Sequence, residues 1–295
     1  TTISMDSGGY LDVAPFDKGE NVRREICLTL EEMGIKPETS HHEQGPGQNE
    51  IDFKFSDALS SADNLLTFKA AVRAIAARNG LFASFAPKPL PDKAGSGLHI
   101  NLSLSQNGYN VFKMNGSQYS KVAESFIAGV LEKAPELTAF LNPIPNSYER
   151  LGQFEAPKYV SWSYGNRSQL IRIPAAKGDR VRMELRSPDP SVNPYLAFAL
   201  VISAGLYGME NSLPLPESLN VDLYKADKCI TEKLAILPDN LGEALRLAEQ
   251  SDFIRNTLPQ EVLSKFLHLK TEEYKDYCEA SDTRAHFIAN YFRTV

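Results

Sequence analysis

The sequence predicts an α+β chain in which antiparallel strands gather on one sheet and helices cover it. Three observations carry this. Residues 98–105 and 180–187 alternate apolar and polar side chains with the period of a strand. The longer stretches between them repeat apolar residues every three or four positions, as a helix does. Proline and glycine punctuate the changes from one pattern to the other.

Taken in order, residues 20–33 predict a helix that ends at Gly34, and EIDFKF (50–55) predicts a strand. A helix begins at Ser61, with Leu65, Phe68, Val72 and Ile75 on one stripe and Gly80 as its stop. LFASFAP (81–87) predicts a strand running into the loop PKPLPDKAGSG. LHINLSLS (98–105) is a strand, 119–140 a helix, and NPIPNSYERLGQFEAPKY a long loop. Residues 158–164, 168–173 and 180–187 read as strands. Pro194 opens an apolar helix that runs to about Gly208. After a proline-containing link at 213–216 the tail is mostly helical, over roughly 239–293. The whole is read as one domain, 1–295, with a helical C-terminal part from about residue 217. No internal repeat or low-complexity tract interrupts it.

Bulk composition narrows the function. With 31 basic and 37 acidic residues the net charge is −6, which argues against a broad nucleic-acid surface. No apolar run approaches the ~20 residues a membrane span needs, and the first residues lack a secretion-signal pattern. Cys27, Cys229 and Cys278 are odd in number and form no metal motif, which points to packing roles and a reducing, cytoplasmic setting.

The chemistry gathers on the polar faces of the alternating stretches. In RVRMELR (180–186), Val181, Met183 and Leu185 form one face, and Arg180, Arg182, Glu184 and Arg186 the other. In LHINLSLS the polar face carries His99, Asn101, Ser103 and Ser105. A polar sheet face is ordinarily solvated. These residue types suit a different role, since arginine grips phosphate or carboxylate through two parallel bonds, and glutamate with histidine binds divalent cations. In HHEQGPGQNEIDF (41–53) a Gly-Pro-Gly loop can fold Glu43 and Glu50 toward one centre. His41 and His42 are adjacent, so on a strand they point opposite ways; both are read as structural residues. KAGSG (93–97) supplies a glycine turn whose N–H groups can approach an anion, and Arg150, Glu155, Arg167 and Arg172 lie in or beside the loops that follow. No hydrolase triad, Walker loop or dinucleotide glycine fingerprint is present. The clusters together imply metal-assisted phosphoryl chemistry on a sheet floor.

HHEQGPGQNEIDF, APKPLPDKAGSGLHINLSL, FEAPKYVSWSYGNRSQLIRIP and RMELRSPDPSVNPYLAFA, in this order and spacing, resemble the catalytic domain of type I glutamine synthetase, most closely the feedback-regulated Gram-positive form. The resemblance runs from about Asp6 to the C-terminus. It implies the fold shared by the catalytic domains of glutamine synthetases and guanidino kinases. It also implies a reaction: ATP phosphorylates the γ-carboxylate of glutamate, and ammonia then displaces phosphate to give glutamine. Two or more Mg²⁺ or Mn²⁺ ions are implied as cofactors, with glutamate, ATP and ammonium as ligands and a homo-dodecamer as the full-length assembly.

Carried over by motif, Glu43 and Glu50 hold the metal nearer glutamate, and His99 and Glu184 hold the metal nearer the ATP phosphates. Gly95 contacts glutamate, whose carboxylates Arg150 and Arg186 bind. Glu155 is the flap glutamate that closes the site and helps take a proton from ammonium. Arg167, Arg172 and Arg182 hold phosphates, and Phe55 and Ser103 line the nucleotide pocket. Tyr224 falls near the adenylylation position of some members and is read as a packed loop tyrosine.

Four departures qualify the likeness. The family's E-x-E metal strand and its small N-terminal β-domain are absent, so the chain is expected to be a fragment of a longer enzyme. Ala94 stands in place of asparagine, and RLGQFEAP is one residue short in the flap. Both of the latter changes fall at the amino-acid end of the site. They leave open a ligase that joins glutamate to another amine, such as a polyamine, or one that uses a different acid. A catalytically silent homologue is the third reading.

Overall fold

The computed structural model describes residues 3–113 and 120–295. Two compact units emerge, Thr1–Ser96 with Ala285–Val295, and Gly97–Arg284.

In the first unit, α1 (Glu20–Glu32) buries Ile26 and Leu30 one turn apart. β1 (Pro37–His42) and β2 (Asn49–Phe53) pair as an antiparallel hairpin, with His41 opposite Glu50 and His42 opposite Asn49. α2 (Ala58–Arg78) starts earlier than predicted, because the Asp57 carboxylate accepts the Ser60 N–H at 3.0 Å and caps it. Gly80, at φ +71°, follows its end as predicted. Ile26, Leu30, Ile35 and Ile75 form a small core. The predicted strand at 81–87 does not form. Its contacts are single ones: Phe85 N–H donates to Val295 O, and Ser84 Oγ to Phe292 O. An apolar run without a neighbouring strand has no ladder to join.

The second unit begins with β3 (Ile100–Leu102) and the two-residue strands β4 (Ser105–Gln106) and β5 (Tyr109–Asn110). Then come α3 (Lys121–Leu141), α4 (Pro145–Tyr148), β6 (Trp162–Tyr164), β7 (Ile171–Ile173) and β8 (Met183–Leu185). α5 (Pro194–Glu210), α6 (Lys228–Thr231), α7 (Leu241–Gln250), α8 (Asp252–Thr257) and α9 (Gln260–Glu279) follow; α10 (Thr283–Asn290) belongs mostly to the first unit. The strands stand in the order β3-β8-β7-β6. β8 runs antiparallel to both its neighbours, while β6 and β7 are parallel. Pairs β1–β2 and β4–β5 are separate small sheets, so the strands do not all collect on one sheet. Alternation reports which face a residue takes, not which strand it pairs with.

The apolar face of the four-stranded sheet carries Ile100, Leu185 and Ile171 in one cross-strand row. They join a core with α3 and α5 residues such as Phe126, Val130, Leu200 and Val201. α5 is capped by Asn193, whose side chain accepts from Tyr195 N–H at 3.0 Å, and Pro194 occupies its first turn. It does not stop at Gly208. A Cβ there would stand 2.1 Å from Ser125 O and 2.7 Å from Gly129 Cα, so the glycine marks where α3 and α5 touch backbone to backbone. Among the described residues no helix is long and apolar enough to cross a membrane.

Candidate active site

β8 is the central strand for the chemistry as well as for the core. Its Glu184 pairs with Asn101 of β3 on one side and Arg172 of β7 on the other, and Ser163 of β6 stands beyond Arg172 in the same row. The row lies on the face opposite Ile100, Leu185 and Ile171, so the sheet separates core from chemistry one residue at a time. The charged face is buried at one end and open at the other: Glu184 is 4% exposed and Arg186 3%, while Asn101, Ser103 and Arg180 are exposed.

Around Glu184 the positive groups converge. Arg186 Nη1 donates to Glu184 Oε1 at 3.0 Å, and Arg172 Nε stands 2.5 Å from Oε2, off line for a hydrogen bond. His99 Nδ1 lies 3.3 Å from Glu184 Oε1. Arg150 is buried, and its guanidinium donates to the carbonyls of Ser187 (2.7 Å) and Arg186 (3.1 Å), which fixes its plane. Arg186 is braced likewise through Arg167 O and Glu155 O. Burial holds His99 well below its ordinary value, and the nearby charges of Arg186, Arg150, Arg172 and Arg167 push the same way. It is therefore neutral at pH 7, with a lone pair to give. Burial also brings Arg150 down to about 10, opposed by the Asp189 carboxylate. Arg172 and Arg186 flank Glu184 while Arg150 acts on His99, so three guanidiniums face the two carboxylates of Glu184 and Asp189. Such a pocket carries excess positive charge and calls for an anion.

Gly97 makes the room. A Cβ on it would meet Arg150 Nη2 at 2.7 Å and His99 Nε2 at 2.8 Å. Gly95, the glycine chosen from sequence, belongs to the first unit, where its carbonyl accepts from Gln48 Nε2 at 2.9 Å.

The flap segment holds two left-handed residues, Gly152 (φ +78°) and Phe154 (φ +52°). Glu155 follows, half exposed, with Oε2 3.4 Å from Arg167 Nη1. Arg182 donates through Nε to Asn101 Oδ1 at 2.8 Å. Ser103 is exposed beyond the end of β3, and Phe55 is 80% exposed in the first unit just after β2. Tyr224 is 39% exposed rather than packed, and partial burial raises its phenol against the opposing pull of Arg186 and Arg150.

In the first unit the β1–β2 hairpin gathers a second donor set. His41 and Glu43 are two residues apart and share a face, while Glu50 is the cross-strand partner of His41. His41 Nε2 stands 3.4 Å from Glu43 Oε1 and 3.9 Å from Glu50 Oε2. One donor atom from each of the three lies within 4.8 Å of the others, and His41 Nε2 is buried without a hydrogen-bond partner. Burial, then Asp52 and Glu43, push the Glu50 carboxyl up to about 8. Two crowded carboxylates and an unpaired imidazole nitrogen fit a divalent cation, which would relieve their repulsion. His42 is structural, as predicted: fully buried, with Nε2 3.0 Å from Asp6 and Nδ1 2.6 Å from Glu43 O. His41, by contrast, belongs with the glutamates; its i, i+2 spacing to Glu43 was the available signal.

A sequence profile described as glutamine synthetase, catalytic domain, matches residues 1–286. This chain belongs to that family. It is 46% identical over 282 residues to a glutamine synthetase of Clostridium saccharobutylicum and 46% identical over 283 residues to one of Halobacterium salinarum, covering 94% of this chain in both cases. The chain spans 64% and 62% of the lengths of these two relatives. Among solved structures, a GmaS/ADP complex superposes with a TM-score of 0.86 at 32% identity, covering 97% of this chain and 67% of that one. A Plasmodium falciparum glutamine synthetase superposes with a TM-score of 0.84 at 28% identity, covering 97% and 64%. The fold is therefore that of glutamine synthetase catalytic domains.

Proposed function

We propose that this chain, 1–295, is the catalytic domain of a cytoplasmic, ATP-dependent glutamate–ammonia ligase whose full-length form assembles as a homo-dodecamer. The observation that carries the reading is the buried arginine set around Glu184, together with the family the chain belongs to. A site with excess buried positive charge suits a substrate carboxylate and a transferring phosphoryl group.

A carboxylate acylates poorly because its leaving group would be oxide. Phosphorylation makes phosphate the leaving group. In this reading Arg150 and Arg186 hold the carboxylates of glutamate, and Gly95 contributes its backbone. Arg167, Arg172 and Arg182 hold phosphate oxygens and balance charge as the phosphoryl group moves. Phe55 and Ser103 border the nucleotide. Glu155 closes over the acyl phosphate, excludes water and takes a proton from ammonium. Glu43 and Glu50, joined by His41, would hold one Mg²⁺ or Mn²⁺; a second at His99 and Glu184 would need the anionic phosphates bound as well, since arginines already crowd Glu184. The ions supply charge neutralisation on the phosphates.

The test is phosphate release from ATP by the protein isolated from its own cells. Release that requires both glutamate and ammonium, and falls at least about 100-fold in Arg172→Ala, supports the reading. Release with putrescine but not ammonium would move the assignment to a γ-glutamyl-amine ligase. Absence of release with any amine would leave a silent homologue.

A further inference from the structure

The Glu43 and Glu50 carboxyl groups crowd on one face of the hairpin, and a cation needs both there as carboxylates. Something must hold the two at a fixed separation before any cation arrives. The candidate is a buried charge on the opposite side of the hairpin. The Asp6 side chain is 1% exposed. Its Oδ1 accepts from Gly47 N–H at 2.7 Å and Gly8 N–H at 3.3 Å, and lies 3.0 Å from His42 Nε2. Its Oδ2 accepts from Lys18 N–H at 3.1 Å. Two of these contacts reach the hairpin at informative places. His42 immediately precedes Glu43, and its other ring nitrogen, 2.6 Å from Glu43 O, holds that residue's backbone. Gly47 lies in the loop between the two glutamates, at φ +65°.

Packing around this carboxylate is tight. A Cβ on Gly8 would meet His42 Nε2 at 2.9 Å, and a Cβ on Gly47 would meet Ser4 Oγ at 2.6 Å. A second strut ends beside Glu50. Arg23 pairs with buried Asp17 at 2.7 Å and donates to Asn49 Oδ1 at 2.5 Å.

We propose that Asp6 is a positioning residue: through His42 and the Gly47 amide it sets the separation of Glu43 and Glu50, and so the affinity of that pair for a divalent cation. The proposal rests on the cation-binding reading above. A carboxylate suits the task because one oxygen can accept from an imidazole and an amide together, and a buried charge holds its donors more tightly than a neutral group. Groups that orient metal ligands without touching the metal act in this way.

The experiment compares wild-type chain, Asp6→Asn and Asp57→Ala, the last a cap deletion in α2 that destabilises without touching the hairpin. Amide hydrogen exchange across residues 41–50 and Mn²⁺ titration by calorimetry are measured on each. Asp6→Asn is expected to speed exchange of the Gly47 and Gln48 amides and to weaken Mn²⁺ about tenfold or more, beyond any change in Asp57→Ala. Hairpin exchange or Mn²⁺ affinity no different from Asp57→Ala would overturn the proposal. Faster exchange in a chain that binds no Mn²⁺ even as wild type would sink the cation reading and still support the clamp. If Asp6→Asn does not fold, Gly8→Ala disturbs the same His42 contact and takes its place.

Discussion

Glu184 shows how much one side chain carries. The side chain is buried and faces Arg172, Arg186 and His99 at once. Glu184→Gln leaves two guanidiniums in a buried place without their counter-charge. The expected loss is about 3–5 kcal/mol, typical of breaking one side of a buried ion pair. Urea unfolding followed through Trp162, the one tryptophan and a β6 residue, reads it directly. A loss under about 1 kcal/mol would place the arginines in water instead. Asp17 gives the pH dependence its sign. The hydrogen bond from Arg23 holds its carboxyl below the ordinary 3.8, so the folded value is depressed. That contribution is present above pH ~4 and is lost as pH falls through the folded value. Melting temperatures of wild type are expected to drop more steeply than those of Asp17→Asn as pH falls below about 4. Parallel curves would mean that the pair adds nothing.

Elements add constraints that no single residue shows. α3 and α5 approach backbone to backbone at Gly129 and Gly208, and the Phe126 ring fills the space at Gly205. Gly208→Ala would place a methyl 2.1 Å from Ser125 O, which is backbone and cannot swing aside. A cost of roughly 2–3 kcal/mol is expected, with overpacking as the cause. Gly80→Ala is the comparison: at φ +71°, with open space around it, it costs only about 1 kcal/mol. Thermal melts of the two variants, ranked the other way, would remove the close-contact argument. Strand lengths follow from the same scale. Alternation continues over 98–105, but β3 pairs only over Ile100–Leu102, because β8 offers it three residues. The turn at Asn107 and Gly108, both left-handed, takes the following residues into the β4–β5 hairpin.

At the scale of the whole molecule, two compact units each carry their own donor set. The first holds His41, Glu43 and Glu50; the second holds His99, Glu184 and the arginines. Mn²⁺ at about 100 times its Kd is expected to stabilise the unit that binds it by about 2.7 kcal/mol. Glu50→Gln should abolish most of that gain, measured by calorimetric melting with and without the ion. An equal gain in the variant would move the cation elsewhere. Much of this was legible from sequence. Helix positions, the polar faces of 98–105 and 180–187, and the Glu43–Glu50 pairing by a Gly-Pro-Gly loop all follow from local spacing. His41 reads as structural from sequence because adjacency to His42 hides its i, i+2 relation to Glu43 and its cross-strand relation to Glu50. Gly97 went unnoticed beside Gly95 because only the fold brings Arg150 and His99 against it. By itself the sequence determined which residues face together, since the periods of strand and helix are local geometry. Only the tertiary structure decided which faces meet and which charges lie buried, because pairing partners distant in sequence, such as Arg172, Glu184 and Asn101, are set by sheet order and register.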